Sequence, residues 1–199
     1  MAEDLLISRD LYLKYGAHIG TKFKTKYLEK FIFKTREDGL SVFNISEVDK
    51  RLRTAFKFLS RYAPEDILVV GRRETALKPL MKLQEITGIK TMPGRYFPGM
   101  LTNPSLKEYT EAKILLAVDP VFDKNAIDDA FSRGIPIVAI CDTNNTANKI
   151  DLVIPFNNKG RTSLGLFFWL FAKYYMLNRG MIKNEKEFKY EIEDFMQQL

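Results

Sequence analysis

The 199-residue chain has one cysteine, Cys141, and one histidine, His18. A lone cysteine closes no internal disulfide, and one Cys with one His cannot complete a four-ligand zinc site, so disulfide scaffolds and zinc folds are both excluded. A reducing, intracellular setting fits that poverty of thiols. The sequence also lacks G-x-G-x-x-G and G-x-x-x-x-G-K-[ST], the usual phosphate cradles for dinucleotides and nucleoside triphosphates. No cofactor and no small-molecule substrate are therefore expected. No apolar run is long: Leu164 to Ala172 extends for nine residues before Lys173 interrupts it, against the roughly 20 that a membrane-spanning helix needs. It reads as a buried helix, with no membrane partner. The start Met-Ala-Glu-Asp has no basic stretch leading into an apolar one, so no secretory signal is expected and the expected location is cytoplasmic. Internal repeats and low-complexity segments are absent as well.

What is present is ample apolar residue, 46% of the chain, enough for a well-buried core in one large domain or two small ones. The net charge is +6, and its location matters more than its size. Between Lys14 and Arg36 there are seven Lys and Arg against Glu29 alone, a local charge of +6 that equals the whole excess. An anionic partner should meet this N-terminal region.

The element pattern begins with Phe31-Ile32-Phe33 and Leu40 to Ile45 around Asp38-Gly39, which reads as a hairpin. Ser46 is a candidate cap for the next helix, with Asp49 in its first turn, and Val48, Leu52, Ala55, Phe56 and Leu59 recur at helical spacing. After Pro64 strands and helices alternate: Ile67 to Val70, a helix Thr75 to Thr87 ended by Gly88, Ile89 to Met92, Ile114 to Val118, a helix Asn125 to Arg133 ended by Gly134, Ile137 to Cys141, and Leu152 to Ile154. Pro79 either sits harmlessly near its helix start or delays that start by a turn. Counting Val42 to Ile45, about six strands are expected. Their continuous Val/Ile/Leu runs indicate strands buried on both faces, hence an α/β fold with a doubly wound, mostly parallel sheet of five or six strands, flanked by helices and preceded by the hairpin. Residues 1–182 form one domain in this reading, and residues 183–199 an acidic amphipathic tail. From Asn184 on, two Lys face five acids, while Phe188, Ile192, Phe195 and Leu199 fall on one helical stripe. A neighbouring protein, rather than the domain's own core, is the expected cover for that stripe.

Ligands of open parallel sheets bind beyond the carboxyl ends of the strands, here Gly71-Arg72-Arg73, Asp119-Pro120 and Cys141 to Asn144. Asp119 and Asp142 end neighbouring strands and could pair for acid-base or metal work, but a strand-ending Asp more commonly caps the following turn. His18, between Gly16 and Gly20 on what looks like a tight backbone path, has no acid or nucleophile nearby in sequence and reads as structural. Cys141 closes an apolar strand, where thiols are inert. The basic segment is more informative. Lys22, Lys24 and Lys26 alternate with Phe23 and lead to Tyr27, Lys30, Phe31 and Phe33, which offers cations for phosphates and rings for bases. The same pattern suits a solvated lysine cluster over core aromatics.

The loop Gly94-Arg95-Tyr96-Phe97-Pro98-Gly99-Met100-Leu101-Thr102-Asn103 resembles the hallmark G-R-[FY]-x-P-G-x-x-T-N loop of the ribosomal protein S-two family. Further blocks agree in order: Leu13-x-x-Gly16-x-His18-x-Gly20; Phe31-Ile32-Phe33 with Arg36-x-Asp38-Gly39 and Asn44; Asp119-Pro120; Gly134-Ile135-Pro136 leading to Cys141-Asp142-Thr143; and Asp151 to Gly160 with Ser163, Gly165 and Arg179-Gly180. Bacterial members insert a helical hairpin after the Thr-Asn; here about nine residues separate Pro104 from Ile114, so the chain resembles the archaeal and eukaryotic branch. Eukaryotic members continue into a long acidic extension, so an archaeal type is expected.

The resemblance implies a non-enzymatic structural protein of the small ribosomal subunit, seated at the head-body junction. Its partners would be small-subunit ribosomal RNA and neighbouring small-subunit proteins. Carried onto this chain, it implies RNA contact at Lys22, Lys24, Lys26, Arg36, Arg72, Arg73, Arg95, Tyr96, Lys159 and Arg161, with Gly16, His18 and Gly20 shaping the N-terminal segment. Two other readings stay open from sequence: a small-molecule site on a flavodoxin-like sheet at Arg73, Asp119 and Asp142, and an interaction module like the laminin-binding role described for eukaryotic relatives.

Overall fold

The hairpin forms where Asp38-Gly39 permits a turn. In the computed structural model, which describes residues 5–197, β1 (Ile32–Thr35) pairs antiparallel with β2 (Ser41–Phe43), and Gly39 takes φ +84°. It is preceded by the short helix α1 (Arg9–Lys14). Residues 18–21 run along the other side of β2: Phe43 N–H donates to His18 O at 2.9 Å, and Gly20 N–H to Ser41 O at 2.9 Å. The hairpin is a separate two-stranded sheet, so the strand expected at Val42 to Ile45 does not join the parallel one. Ile45 instead opens helix α2 (Ile45–Leu59).

Asn44, not Ser46, caps α2, its Oδ1 accepting from Ser46 N–H at 3.1 Å. Asp49 does not serve the helix end either. It is buried, and Oδ1 accepts from the Tyr12 hydroxyl and Leu6 N–H, both at 2.8 Å, tying α1 to α2. The five expected apolar positions of α2 are all buried.

Five strands make the parallel sheet: β3 (Ile67–Gly71), β4 (Lys90–Pro93), β5 (Ile114–Ala117), β6 (Ile137–Cys141) and β7 (Leu152–Pro155), in the order β4-β3-β5-β6-β7. Strands β3, β5 and β6 are buried at every position, as their unbroken apolar runs require. Helix α3 (Glu74–Thr87) joins β3 to β4, and α4 (Lys124–Ser132) joins β5 to β6. The chain moves in opposite directions along the sheet through these two helices, so right-handed crossovers put them on opposite faces. Pro79 lies in the second turn of α3 without delaying it, and its missing N–H removes one helical bond. Helix α5 (Arg161–Asn178) packs against both α2 and α3. Its apolar run is core: Leu164, Phe167, Phe168 and Phe171 are fully buried, with Phe167 edge-on to Phe56 and Phe156 at centroid distances of 5.7 and 5.4 Å.

The tail is not one helix. It forms two short 3-10 turns, Glu185–Glu187 and Ile192–Phe195, and Phe188, Ile192 and Phe195 are buried against the chain's own α5 and α3. Its acids find partners in the domain, which a free amphipathic helix would not offer: Glu185 pairs with Lys173 at 2.5 Å, and Glu193 accepts from the Tyr15 hydroxyl at 2.9 Å. Leu199, the last residue of the expected stripe, lies outside the described residues.

Candidate nucleic-acid interface

The sheet order reverses between β3 and β5, and the carboxyl ends of the strands around that point carry most of the expected site residues. Arg73, the N-cap residue of α3, donates from Nε to Asp119 at 2.6 Å. Lys159 Nζ lies 3.0 Å from Asp142 and donates to Asn144 Oδ1 at 2.8 Å. Both carboxylates are buried, and for Asp142 burial raises the pKa while Lys159 opposes it. Each acid thus has its own cation, and the acid pair considered from sequence does not form an acid-base couple. Among the described residues no cluster of His, Cys, Asp and Glu could hold a metal ion.

Beneath these cations lies an amide network. Asn145 donates from Nδ2 to Asp119 at 3.1 Å and accepts Asp142 N–H at 2.7 Å; Asn158 donates to Ile140 O at 2.9 Å and to Asn145 Oδ1 at 3.0 Å. Asp123 accepts the backbone N–H groups of Arg72 and Asp119, each at 2.9 Å, and burial pushes its pKa up to about 7. The three residues clamp the ends of β3, β5 and β6 together. Asn145 and Asp123 carry no pattern in the sequence that would single them out, because the partners through which they join separate strand ends, Asp119 and Arg72, are 26 and 51 residues distant.

The N-terminal lysines are anchored to the same edge. Thr21 N–H donates to Thr143 Oγ1, Thr25 N–H donates to Thr143 O, both at 2.9 Å, and Thr25 Oγ1 donates to Asn145 O at 2.8 Å. Gly20 makes this crossing possible: a Cβ there would stand 2.5 Å from Thr143 Cγ2 and 3.0 Å from Ser41 O. Gly16, at φ +69°, turns the chain out of α1. His18 is half-buried, with Nδ1 unpartnered, and burial lowers its pKa, aided by Arg36.

Of the expected cations, Lys22, Lys26, Arg72 and Arg95 are exposed. Lys24 and Arg36 are exposed too, in ion pairs with Glu29 at 2.7 Å and Asp38 at 3.3 Å. Arg161, half-buried, is the first residue of α5. Tyr96 is buried and donates its hydroxyl to Asp129 at 2.9 Å, so it holds the 94–103 loop. Phe31 is buried likewise. Two shallow cavities, of about 190 and 290 Å³, share Arg72 and Phe122; Arg95 lines the first, Arg73 and Lys159 the second. Phe122, half-exposed with the Arg73 guanidinium 4.5 Å from its ring centre, is an addition that its sequence context does not advertise. Arg72, Arg73, Arg95 and Lys159 therefore gather on one edge, and the side chains needed for a small-molecule site at Arg73, Asp119 and Asp142 are already occupied.

The sequence matches the family described as Ribosomal protein S2 over residues 12–114 and 105–177. The chain belongs to the ribosomal protein S2 family. This is a family of structural, non-enzymatic proteins. Three archaeal relatives are nearly collinear with it. The small ribosomal subunit protein uS2 of Nanoarchaeum equitans is 51% identical over 96% of both chains. That of Picrophilus torridus is 48% identical over the full length of both, and that of Methanococcus maripaludis strain C6 is 48% identical over 98% of this chain and 87% of its own. Among the described residues of this S2-family chain, no helix is long and apolar enough to cross a membrane.

Proposed function

We propose that the chain is a structural constituent of the small ribosomal subunit that binds ribosomal RNA through the carboxyl edge of its sheet, at the junction of head and body. The observation that carries this is the convergence of Arg72, Arg73, Arg95 and Lys159 on one edge, with the Lys22 to Lys26 segment stapled to it through Thr143. Cations on a rigid sheet edge neutralise backbone phosphates and read the shape of RNA rather than its sequence. Arg36 on the hairpin and Arg161 at the start of α5 extend the contact. In this reading residues 1–182 form the RNA-bearing unit and residues 183–199 its acidic tail, the partners are small-subunit ribosomal RNA and adjacent small-subunit proteins, and the location is the cytoplasm. Sucrose-gradient fractionation of native lysate, probed with antibody to this chain, tests it. Co-migration with small subunits is expected, and confinement to the light fractions at physiological salt would overturn the proposal.

A further inference from the structure

The register of the hairpin holds one irregularity. Ile32 faces Phe43 and Lys34 faces Val42, so two steps along β1 are matched by one along β2 and Phe33 is left without a partner. An extra residue of this kind is a β-bulge, which re-aims side chains. Phe33, the bulged residue, is 66% exposed, on a strand whose next two residues, Lys34 and Thr35, are exposed as well. A bare phenyl ring held on a hydrogen-bonded strand carries a solvation cost that contributes nothing to folding. It also lines a groove of about 580 Å³ between α1 and the hairpin, together with the cations Arg9, Lys34 and Arg36 and with no carboxylate in the lining. Of the other exposed rings in the N-terminal segment, Phe23 is likewise without a cation or ring partner among the described residues, and Tyr27 differs. Tyr27 is capped by Lys30 Nζ at 3.7 Å from its ring centre, whereas Phe33 has no cation or ring partner among the described residues.

We propose that this groove receives an unpaired nucleotide of RNA, its base stacked on Phe33 and its flanking phosphates held by Arg9, Lys34 and Arg36. The inference rests on the RNA-binding reading above and adds a site that distinguishes single strands from duplex. A flat π-face suits any base, and three cations, of which Arg36 is shared with Asp38 at 3.3 Å, meet no carboxylate in the groove lining, so the groove favours an anionic partner with a ring to stack over an apolar peptide.

The test uses the full chain and two probes, a short fluorescent single-stranded RNA of mixed sequence and the same strand annealed to its complement. Phe33→Leu keeps apolar bulk without a π-face and should weaken single-strand binding about tenfold, leaving duplex binding and the salt slope unchanged. Phe33→Tyr should bind normally. Lys34→Glu should instead reduce the salt slope. Thermal unfolding of each variant confirms the fold, since both positions are exposed. Unchanged single-strand affinity in Phe33→Leu, or equal loss on both probes, would overturn the inference. So would a Phe33→Leu protein that binds RNA normally but falls off subunits in a gradient, which would assign the groove to a protein neighbour. If the unmodified chain binds neither probe nor small-subunit ribosomal RNA, the broader reading fails instead.

Discussion

The Tyr96 hydroxyl donates to Asp129 Oδ2 at 2.9 Å, and the same oxygen accepts Gly99 N–H at 2.8 Å. One carboxylate on α4 therefore fixes both ends of the turn that follows Arg95, and burial beside that carboxylate raises the pKa of the phenol. Tyr96→Phe should destabilise the protein by about 1.5–3 kcal/mol, the range for a hydrogen bond to a charged partner. Asp129→Ala should cost more, since it strands both the Tyr96 hydroxyl and Gly99 N–H, whereas Tyr96→Phe strands Leu101 N–H, which donates to that hydroxyl at 3.2 Å. Urea denaturation of the two variants gives the comparison, and two curves superimposed on that of the unmodified chain would show that the loop is held by packing alone.

Charge reversal at Lys22, Lys24 and Lys26 should weaken binding to small-subunit ribosomal RNA and flatten its salt dependence. For every phosphate left without its cation, the log-log slope becomes shallower by roughly 0.7–0.9. Lys24 should contribute least, because Glu29 already competes for it at 2.7 Å. Single reversals measured over a salt series would separate the three, and an unaltered slope in the triple variant would move the RNA surface off this segment.

The parallel sheet is legible because runs such as Ile67 to Val70 and Ile137 to Cys141 encode burial on both faces directly in composition. The location of Arg72, Arg73 and Lys159 follows from the sheet, as strand ends are easily counted. What sequence does not convey is pairing over distance. Asp49 reads as a first-turn acid and is a buried acceptor for Tyr12, 37 residues away; Tyr96 reads as an RNA contact on the hallmark loop, and its hydroxyl pairs with Asp129, 33 residues away. The tail misleads for a related reason. Spacings of four, three and four suit a helical stripe, yet 3-10 turns and extended chain bury the same apolar residues when a surface like α5 is waiting for them.

Asp123 makes stability depend on pH. Its pKa rises from the ordinary 3.8 to about 7 by burial, so between those values the folded chain holds a proton that the unfolded chain has released. Stability from this group therefore increases as pH falls through about 7 and levels off near 4. His18, with a lowered pKa, acts in the opposite sense: its contribution is present above its ordinary 6.5 and lost as pH falls. Comparing the unmodified chain with Asp123→Asn cancels the histidine. The unmodified chain should gain on the variant from pH 7 downward, and parallel denaturation midpoints across the range would refute the assignment.

Removing the tail from Asn184 onward tests whether it belongs to the core. A free acidic tail would come away without effect on folding. In the structure, however, Phe195 is fully buried, Phe188 and Ile192 nearly so, and the indole of Trp169 donates to Tyr190 O at 2.7 Å. Gly165 of α5 leaves room for the tail to lie close, since a Cβ there would approach Met196 Cγ to 2.9 Å. Each buried apolar side chain contributes about 1.5–3 kcal/mol, so losing three of them should lower stability by several kcal/mol and the melting temperature by many degrees. The point variant Phe195→Ala should reproduce about 3–5 kcal/mol of that loss. Thermal unfolding of the truncated and point variants, with RNA affinity measured well below both melting temperatures, separates the possibilities. Reduced stability with RNA affinity intact is expected, because the tail's charge of −3 adds nothing to phosphate binding. A truncated protein as stable as the full chain would show that the tail is covered by a partner rather than by α5.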